Sequence, residues 1–228
     1  PEEAAELFFR LNQPSLLTSA EQRNAFFGTA REEIKSLVNV FEEVGGNKEL
    51  IGFSNSRMAY DDIISKLCFT LEQNTLTKKI TSNNITEKFV STEGFGEKIY
   101  SDVKNVIIYF LESLYMVKAE IPIKLNLNKA TLYSWLLFTY RNKLTLNHNE
   151  LGTLIYKFEN VRQEFKGKTL SHRLQLENKI IQIKYPYFQS MILLFNQKAS
   201  MGSTDVTSII FRDIILEISE EIILEKDN

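Results

Sequence analysis

At 228 residues and 26.4 kDa, the chain can bury one large core or two small ones, and 43% hydrophobic with 25% charged residues excludes a disordered chain. A formal charge of −2 excludes a global attraction to nucleic acid or to an anionic membrane, so any such binding must come from a local patch. The single Cys68 excludes an internal disulfide and a cysteine-rich zinc site, and no apolar run approaches the roughly 20 residues that span a bilayer. With no signal-peptide pattern, the expected location is intracellular and cytoplasmic, with no membrane partner.

Nine glycines and four prolines are few breakers for this length and favour long helices. Ala5, Leu7, Phe8 and Leu11 have helical spacing over Glu2–Leu11, and Pro14 ends that helix because the residue before proline is pushed out of the α region. Thr18 with Glu21 three residues later forms a capping box, opening a helix expected to run through Phe27. Ile34, Leu37, Val38 and Phe41 predict a helix over Thr29–Val44, stopped by Gly45-Gly46. Met58–Gln73 is helical by pattern, with Asp61 and Asp62 in its first turn, where the helix dipole favours acids. Thr77–Asn84 reads as a polar connector, and Thr86–Val90 as a short helix before Gly94 and Gly96. Glu97–Val117 is the longest amphipathic segment.

In Ile121-Pro122-Ile123-Lys124-Leu125-Asn126-Leu127 the apolar residues alternate, so 121–127 is expected to be extended and, because of Pro122, restricted to an edge. Helical pattern resumes at Lys129–Tyr140, Asn149–Phe165, Ser171–Ile183, Phe188–Lys198 and Asp205–Leu224. The expectation is an all-α, bundle-like array of about nine to ten helices. A boundary around Thr75–Asn84 would divide it into a helical segment, 1–74, and a C-terminal helical domain, 85–228.

Tests for chemistry are mostly negative. His148 and His172 are far apart, and neither has a second ligand one helical turn away, so no metal site is expected. Gly167-Lys168-Thr169 has the tail of a P-loop, but Arg162 stands where the first glycine should be, and no strand precedes it. Gly94-Phe95-Gly96 lacks the third glycine of a dinucleotide fingerprint. The carboxylate pairs Asp61-Asp62, Glu32-Glu33 and Glu220-Glu221 point about 100° apart on helices and do not converge as acid and base; solvated faces are the expectation.

Two candidate regions remain. From Arg141 to Lys184 nine basic residues, among them Arg141, Lys143, Lys157, Arg162, Lys166, Lys168 and Arg173, face four acidic ones. Tyr156, Phe158, Phe165, Tyr185 and Tyr187 are interleaved or adjacent, so this stretch could contact phosphates and stack bases. The alternative is that the aromatics are core and the lysines only solubilise the surface. The second region is the helical corner near the start, which concentrates Arg10, Asn12, Glu21, Gln22, Arg23 and Asn24. Either Arg10 or Arg23 pairs with Glu21 to clamp the corner while Asn12 bonds the turn, or these groups face an adjoining domain and help bind an anionic ligand.

The corner residues, as Phe8-Phe9-Arg10-Leu11-Asn12, Leu17 and Glu21-Gln22-Arg23-Asn24-Ala25, resemble the GmrSD-type family of restriction and phage-defence proteins, at its GmrS subunit. Gln13-Pro14-Ser15 replaces that family's commoner small-residue loop. Arg57-Met58 before Asp61-Asp62, and Ser208-Ile209-Ile210-Phe211-Arg212-Asp213-Ile214-Ile215-Leu216, are similar to it too. The resemblance implies the helical portion that follows a ParB/sulfiredoxin-like NTPase region, whose Asp-Gly-Gln-Gln-Arg motif this sequence lacks. It therefore implies no cofactor or catalytic residue here, with NTP and a divalent metal belonging to the parent protein. DNA, an upstream NTPase domain or partner nuclease subunit, and a homo-oligomer are the partners it suggests. Arg10, Asn12, Glu21, Arg23 and Asn24 would then complete a nucleotide or DNA site facing residues outside this chain. A non-enzymatic helical scaffold that docks a partner through the Ile-rich Asp205–Leu224 helix is the competing reading.

Overall fold

The computed structural model describes residues 17–121, 124–168 and 187–224. The helices expected at Glu2–Leu11 and Ser171–Ile183, and with them Arg10, Asn12 and Arg173, lie outside the described residues. The described residues form an all-α array of ten helices: α1 (Ser19–Arg23), α2 (Thr29–Glu43), α3 (Lys48–Ile51), α4 (Ala59–Gln73), α5 (Ser82–Val90), α6 (Glu97–Lys118), α7 (Lys129–Asn142), α8 (His148–Glu164), α9 (Phe188–Ser200) and α10 (Val206–Ile223). None of these helices is long and apolar enough to cross a membrane.

Local chemistry sets most of the ends. Thr18 and Glu21 form the expected capping box on α1, and Asn147 with Glu150 forms another on α8. The end of α2 is a Schellman motif: the Gly46 N–H donates to the Phe41 carbonyl (2.7 Å) and the Gly45 N–H to that of Glu42 (3.0 Å), with Gly45 at φ 98°. The first helix is shorter than the expected run to Phe27, because the Asn24 carbonyl accepts from Arg31 Nε (3.0 Å) instead of continuing the ladder. Conversely, α5 starts four residues earlier than expected because the Thr81 hydroxyl caps Asn84 N–H (3.1 Å).

Lys124–Leu127 keeps the alternation of an extended strap, with Leu125 and Leu127 buried and Lys124 and Asn126 exposed. Its partners are not a strand. Leu127 N–H donates to Ile51 O (2.9 Å), while Gln163 and Arg162 of α8 donate to the carbonyls of Lys124 and Asn126. Helical side chains thus replace a sheet ladder, and no strand forms among the described residues.

A single buried cluster runs from Ala30 to Ile222, and Ile80, within the expected boundary segment, belongs to it. At its centre α7 is buried continuously from Thr131 to Thr139. Helices α4, α6, α9 and α10 pack around α7, and α8 reaches it through Phe158, whose ring lies 5.4 Å from that of Trp135. The most extensive pairing, between α6 and α8, depends on Gly152: a Cβ there would stand 2.2 Å from the Ser113 carbonyl oxygen. Removing a mid-helix glycine is by itself worth about 1 kcal/mol in a helix's favour. Forcing these two backbones apart costs more, so Gly152→Leu is expected to lower unfolding stability by about 1–3 kcal/mol in urea denaturation.

Candidate functional site: the helical corner and the basic face

The corner is assembled from two segments 39 residues apart. Before α4 the chain makes an unusual turn in which Arg57 (φ 53°) and Met58 (φ 57°) are both left-handed, a conformation that costs on the order of 1–3 kcal/mol per non-glycine residue. Asn55 stabilises the turn by accepting the Tyr60 N–H (2.7 Å) and donating to Asp61 (3.2 Å), so it does the capping that Met58 cannot. The turn places the Arg57 guanidinium against the Glu21 carboxylate at 3.1 Å. That contact, followed by the Thr18 N–H, holds the Glu21 carboxyl down from 4.5 to about 2.

Arg23 lies deeper, with 2% of its surface exposed. Its Nη2 donates to Asp62 Oδ1 (2.9 Å), and its guanidinium lies over Phe89, 5.7 Å from the ring centroid. Asp62 also accepts from Lys66 (2.6 Å). Burial raises the Asp62 pKa, but Lys66, Arg23 and Lys129 together outweigh it, and the net shift is downward. Arg23 Nη1 and Ser65 Oγ, both buried, have no hydrogen-bond partner among the described residues. Both residues line a cavity of about 10 Å³, beside Asn24, Arg31, Lys35 and Asp61. The corner therefore clamps itself through Glu21–Arg57 and Arg23–Asp62, and leaves Nη1 of Arg23 without a partner among the described residues.

The pairing of Arg23 with Glu21, one of the expected clamps, is replaced by two separate pairs. Asn55 is the residue that sequence reasoning missed here, and the pairings of Arg57 with Glu21 and of Asp62 with Arg23 were not foreseen, because they join positions 36 and 39 residues apart. Asp62 reads locally as a helix-dipole acid. Asn24 is half-buried and contributes its backbone carbonyl to Arg31.

The basic stretch divides. Arg141 is held by Asp213 (2.7 and 2.8 Å) and by Glu217. Arg162 is bound by the fully buried Glu159 (2.7 Å from Nε), and by Asn126 O and Asn196. Both arginines thus pair with carboxylates within the fold. Lys157, Lys166 and Lys168 are exposed and Lys143 half-buried; Lys143 and Lys168 lie over Tyr140 and Phe165. Tyr156, Phe158 and Phe165 are core, as the alternative reading had it, whereas Tyr187 is 76% exposed.

No cluster of metal-ligating residues occurs among the described residues. His148 opens α8, stacked on Tyr109 (3.9 Å between ring centroids), with Nδ1 3.0 Å from Ser113 Oγ. Gly94-Phe95-Gly96 is a turn held by Glu33, which accepts the N–H of Phe95 (2.6 Å) and of Gly96 (3.3 Å), so Glu33 is no solvated face residue. Gly167, at φ 77°, ends α8 in a turn with no strand before it.

The described residues are all-helical, and the polar side chains of the corner fasten its own helices, while Lys157, Lys166 and Lys168 are exposed along and just after α8. Comparison with protein families, curated proteins and solved structures yields no match.

Asp62→Asn leaves Arg23 buried without a carboxylate and is expected to cost about 3–5 kcal/mol of unfolding stability by urea denaturation. Glu21 has a lowered folded-state pKa, so its contribution is fully present above pH 4.5 and is lost as pH falls through about 2. An acid titration of stability is expected to show a step in that window that Arg57→Gln diminishes.

Proposed function

We propose that this chain is the helical portion of a GmrS-like, nucleotide-dependent DNA restriction protein. In this reading the corner adjoins the nucleotide site of the parent protein, and the lysine-bearing face contacts DNA. One observation carries the reading: the two separate segments that resemble the family, Glu21 to Ala25 and Arg57 to Asp62, are each other's partners through Glu21–Arg57 (3.1 Å) and Arg23–Asp62 (2.9 Å). Residues that act as a unit have reason to occur together. The resemblance then reflects one physical device rather than two coincidences. Arg23 is a positioning residue, and its Nη1, with Arg31, Lys35 and Asn24 but also the Asp61 carboxylate around it, is the group that would meet an anionic oxygen.

DNA contact rests on Lys143, Lys157, Lys166 and Lys168, which form no ion pair among the described residues. Fluorescence anisotropy with duplex DNA tests it. The Lys157→Glu, Lys166→Glu, Lys168→Glu triple variant is expected to weaken binding and to flatten the dependence of log affinity on log salt by about one unit for each phosphate no longer neutralised. Affinity and slope that remain unchanged would remove the DNA assignment. The corner is tested in a protein that includes the nucleotide-hydrolysing region. There, Arg23→Lys, which keeps the charge facing Asp62, and Asn24→Ala should each lower hydrolysis when assayed below the melting temperature of each variant. Full hydrolysis in both would defeat the assignment of the corner.

A second reading, a helix-docking module, is favoured by α10. Phe211, Ile214 and Ile218 are 43%, 47% and 39% exposed and follow the alternating three- and four-residue spacing of a coiled-coil seam. The occupant it fits is a second copy lying antiparallel. That arrangement sets Lys198, over Phe211 at one end, near Glu221 of the other copy. Light scattering after size exclusion should show a dimer that Ile214→Asp with Ile218→Asp dissolves; a wild-type monomer ends this reading.

A further inference from the structure

Away from the corner, the N-terminus of α7 meets α4 and the turn between α9 and α10 around a cleft of about 110 Å³. Three cationic side chains line it, Lys66, Lys129 and Arg212, and no carboxylate does. One of the three is already paired: Lys66 meets Asp62 at 2.6 Å, and Asp62 also takes Arg23, while Asp213 takes Arg141 (2.7 Å) and Asp205 lies 3.9 Å from Lys79.

Arg212 is the unusual member. It is fully buried, yet its three nitrogens donate to Ser134 Oγ (2.8 Å), Lys198 O (2.6 Å) and Ser203 O (3.0 Å), all of them neutral acceptors. Burying a cation costs several kcal/mol, which such acceptors offset only in part. Consistently, burial depresses the Arg212 pKa to about 10. Lys129 is exposed and makes no hydrogen bond or ion pair through its side chain among the described residues.

The α7 backbone adds to the same field. Asn128 caps the Thr131 N–H (2.9 Å), which leaves those of Lys129 and Ala130 without an intrahelical acceptor at the positive end of a 14-residue helix. Ser203 and Thr204 bring hydroxyl-bearing side chains to the rim. Ile63, Ile80 and Ile209 form an apolar wall, which lowers the local dielectric and strengthens any charge pairing inside.

We propose that this cleft binds a small phosphate-type oxyanion, either inorganic phosphate or the phosphoryl group of a small phosphomonoester. The size fits: the cleft is smaller than the ~150 Å³ cavity that admits benzene, so a tetrahedral anion enters and a nucleobase does not. The charge fits too: a phosphate carries about −1.5 to −2 at pH 7, where a carboxylate brings one, and it meets Lys129 and the buried Arg212, with Lys66 shared with Asp62.

Isothermal titration of the intact 228-residue chain at pH 7.5 and constant ionic strength tests the proposal with sodium phosphate, glycerol 3-phosphate and sodium acetate. Phosphate should saturate one site, and acetate should bind at least tenfold more weakly. Lys129→Glu, a substitution at an exposed position that leaves the helical circular dichroism unchanged, should weaken phosphate at least tenfold, whereas Lys129→Arg should retain it. Glycerol 3-phosphate binding as tightly as phosphate assigns the site to a phosphomonoester, and its exclusion assigns it to the free anion. No saturable phosphate binding, acetate equal to phosphate, or an affinity indifferent to Lys129→Glu overturns the proposal.

Discussion

The burial of α7 on every side is the constraint on which the other helices depend. A helix that meets only protein must find partners for each polar group it carries, because an unpaired buried donor or acceptor costs about 1–3 kcal/mol. Thr131 bonds Asn128, Ser134 bonds the Ala130 carbonyl, and Thr139 bonds that of Trp135, so the hydroxyls are satisfied within the helix or its cap. The larger groups reach outward. The Tyr133 hydroxyl meets Thr70 of α4 (2.8 Å), the Trp135 indole donates to Glu159 of α8 (2.9 Å), and Ser134 also accepts from Arg212 of α10. Helices α4, α8 and α10 are therefore each positioned by a directional bond to α7, where packing alone would permit sliding.

Those bonds carry charge into the core, and the fold answers it in two ways. Burial pushes the Glu159 carboxyl up, opposed by Arg162 and by Trp135, both of which donate to it. Asp213 is likewise raised by burial, opposed by Arg141. Arg212 makes no ion pair among the described residues, although Asp213 acts on it through the field; it donates to Ser134 Oγ, to Lys198 O at the C-terminal end of α9, where the helix dipole is negative, and to Ser203 O in the turn that follows. Arg23 and Arg57 near the start and Arg212 and Asp213 near the end thus all bond other elements of the fold. They hold elements together at points where the chain reverses direction.

Much of the fold was legible because it depends on local rules. Capping residues, the Gly45-Gly46 stop and the apolar periods of α2, α4 and α6 need no knowledge of neighbours. The short α3 escaped notice, since four residues give no period, although Asn47 caps it and Gly52 ends it at φ 101°. The strap at 124–127 displayed its alternation, but its partners are side chains of α8, 36 and 39 residues away. The candidate sites were the least legible part, because net charge along a sequence does not reveal which charges pair across the fold. Arg141 counted toward a basic stretch, while its carboxylates lie 72 and 76 residues further on. The adjacent acids Asp61 and Asp62 do diverge as helical geometry requires, one to Asn55 and the other to Arg23 and Lys66.

Asp62 links the two charged features of the molecule. Its two oxygens divide between Arg23 in the corner and Lys66 at the cleft beside α7, at 2.9 and 2.6 Å. One carboxylate cannot fully neutralise two cations, so the field at either one depends on how far the other is engaged. For the anion site proposed above, a ligand that competed with Asp62 for Lys66 would alter how Asp62 is shared with Arg23, and that coupling would be reciprocal. The physical route is short, running from Arg23 through one carboxylate to Lys66, one helical turn along α4.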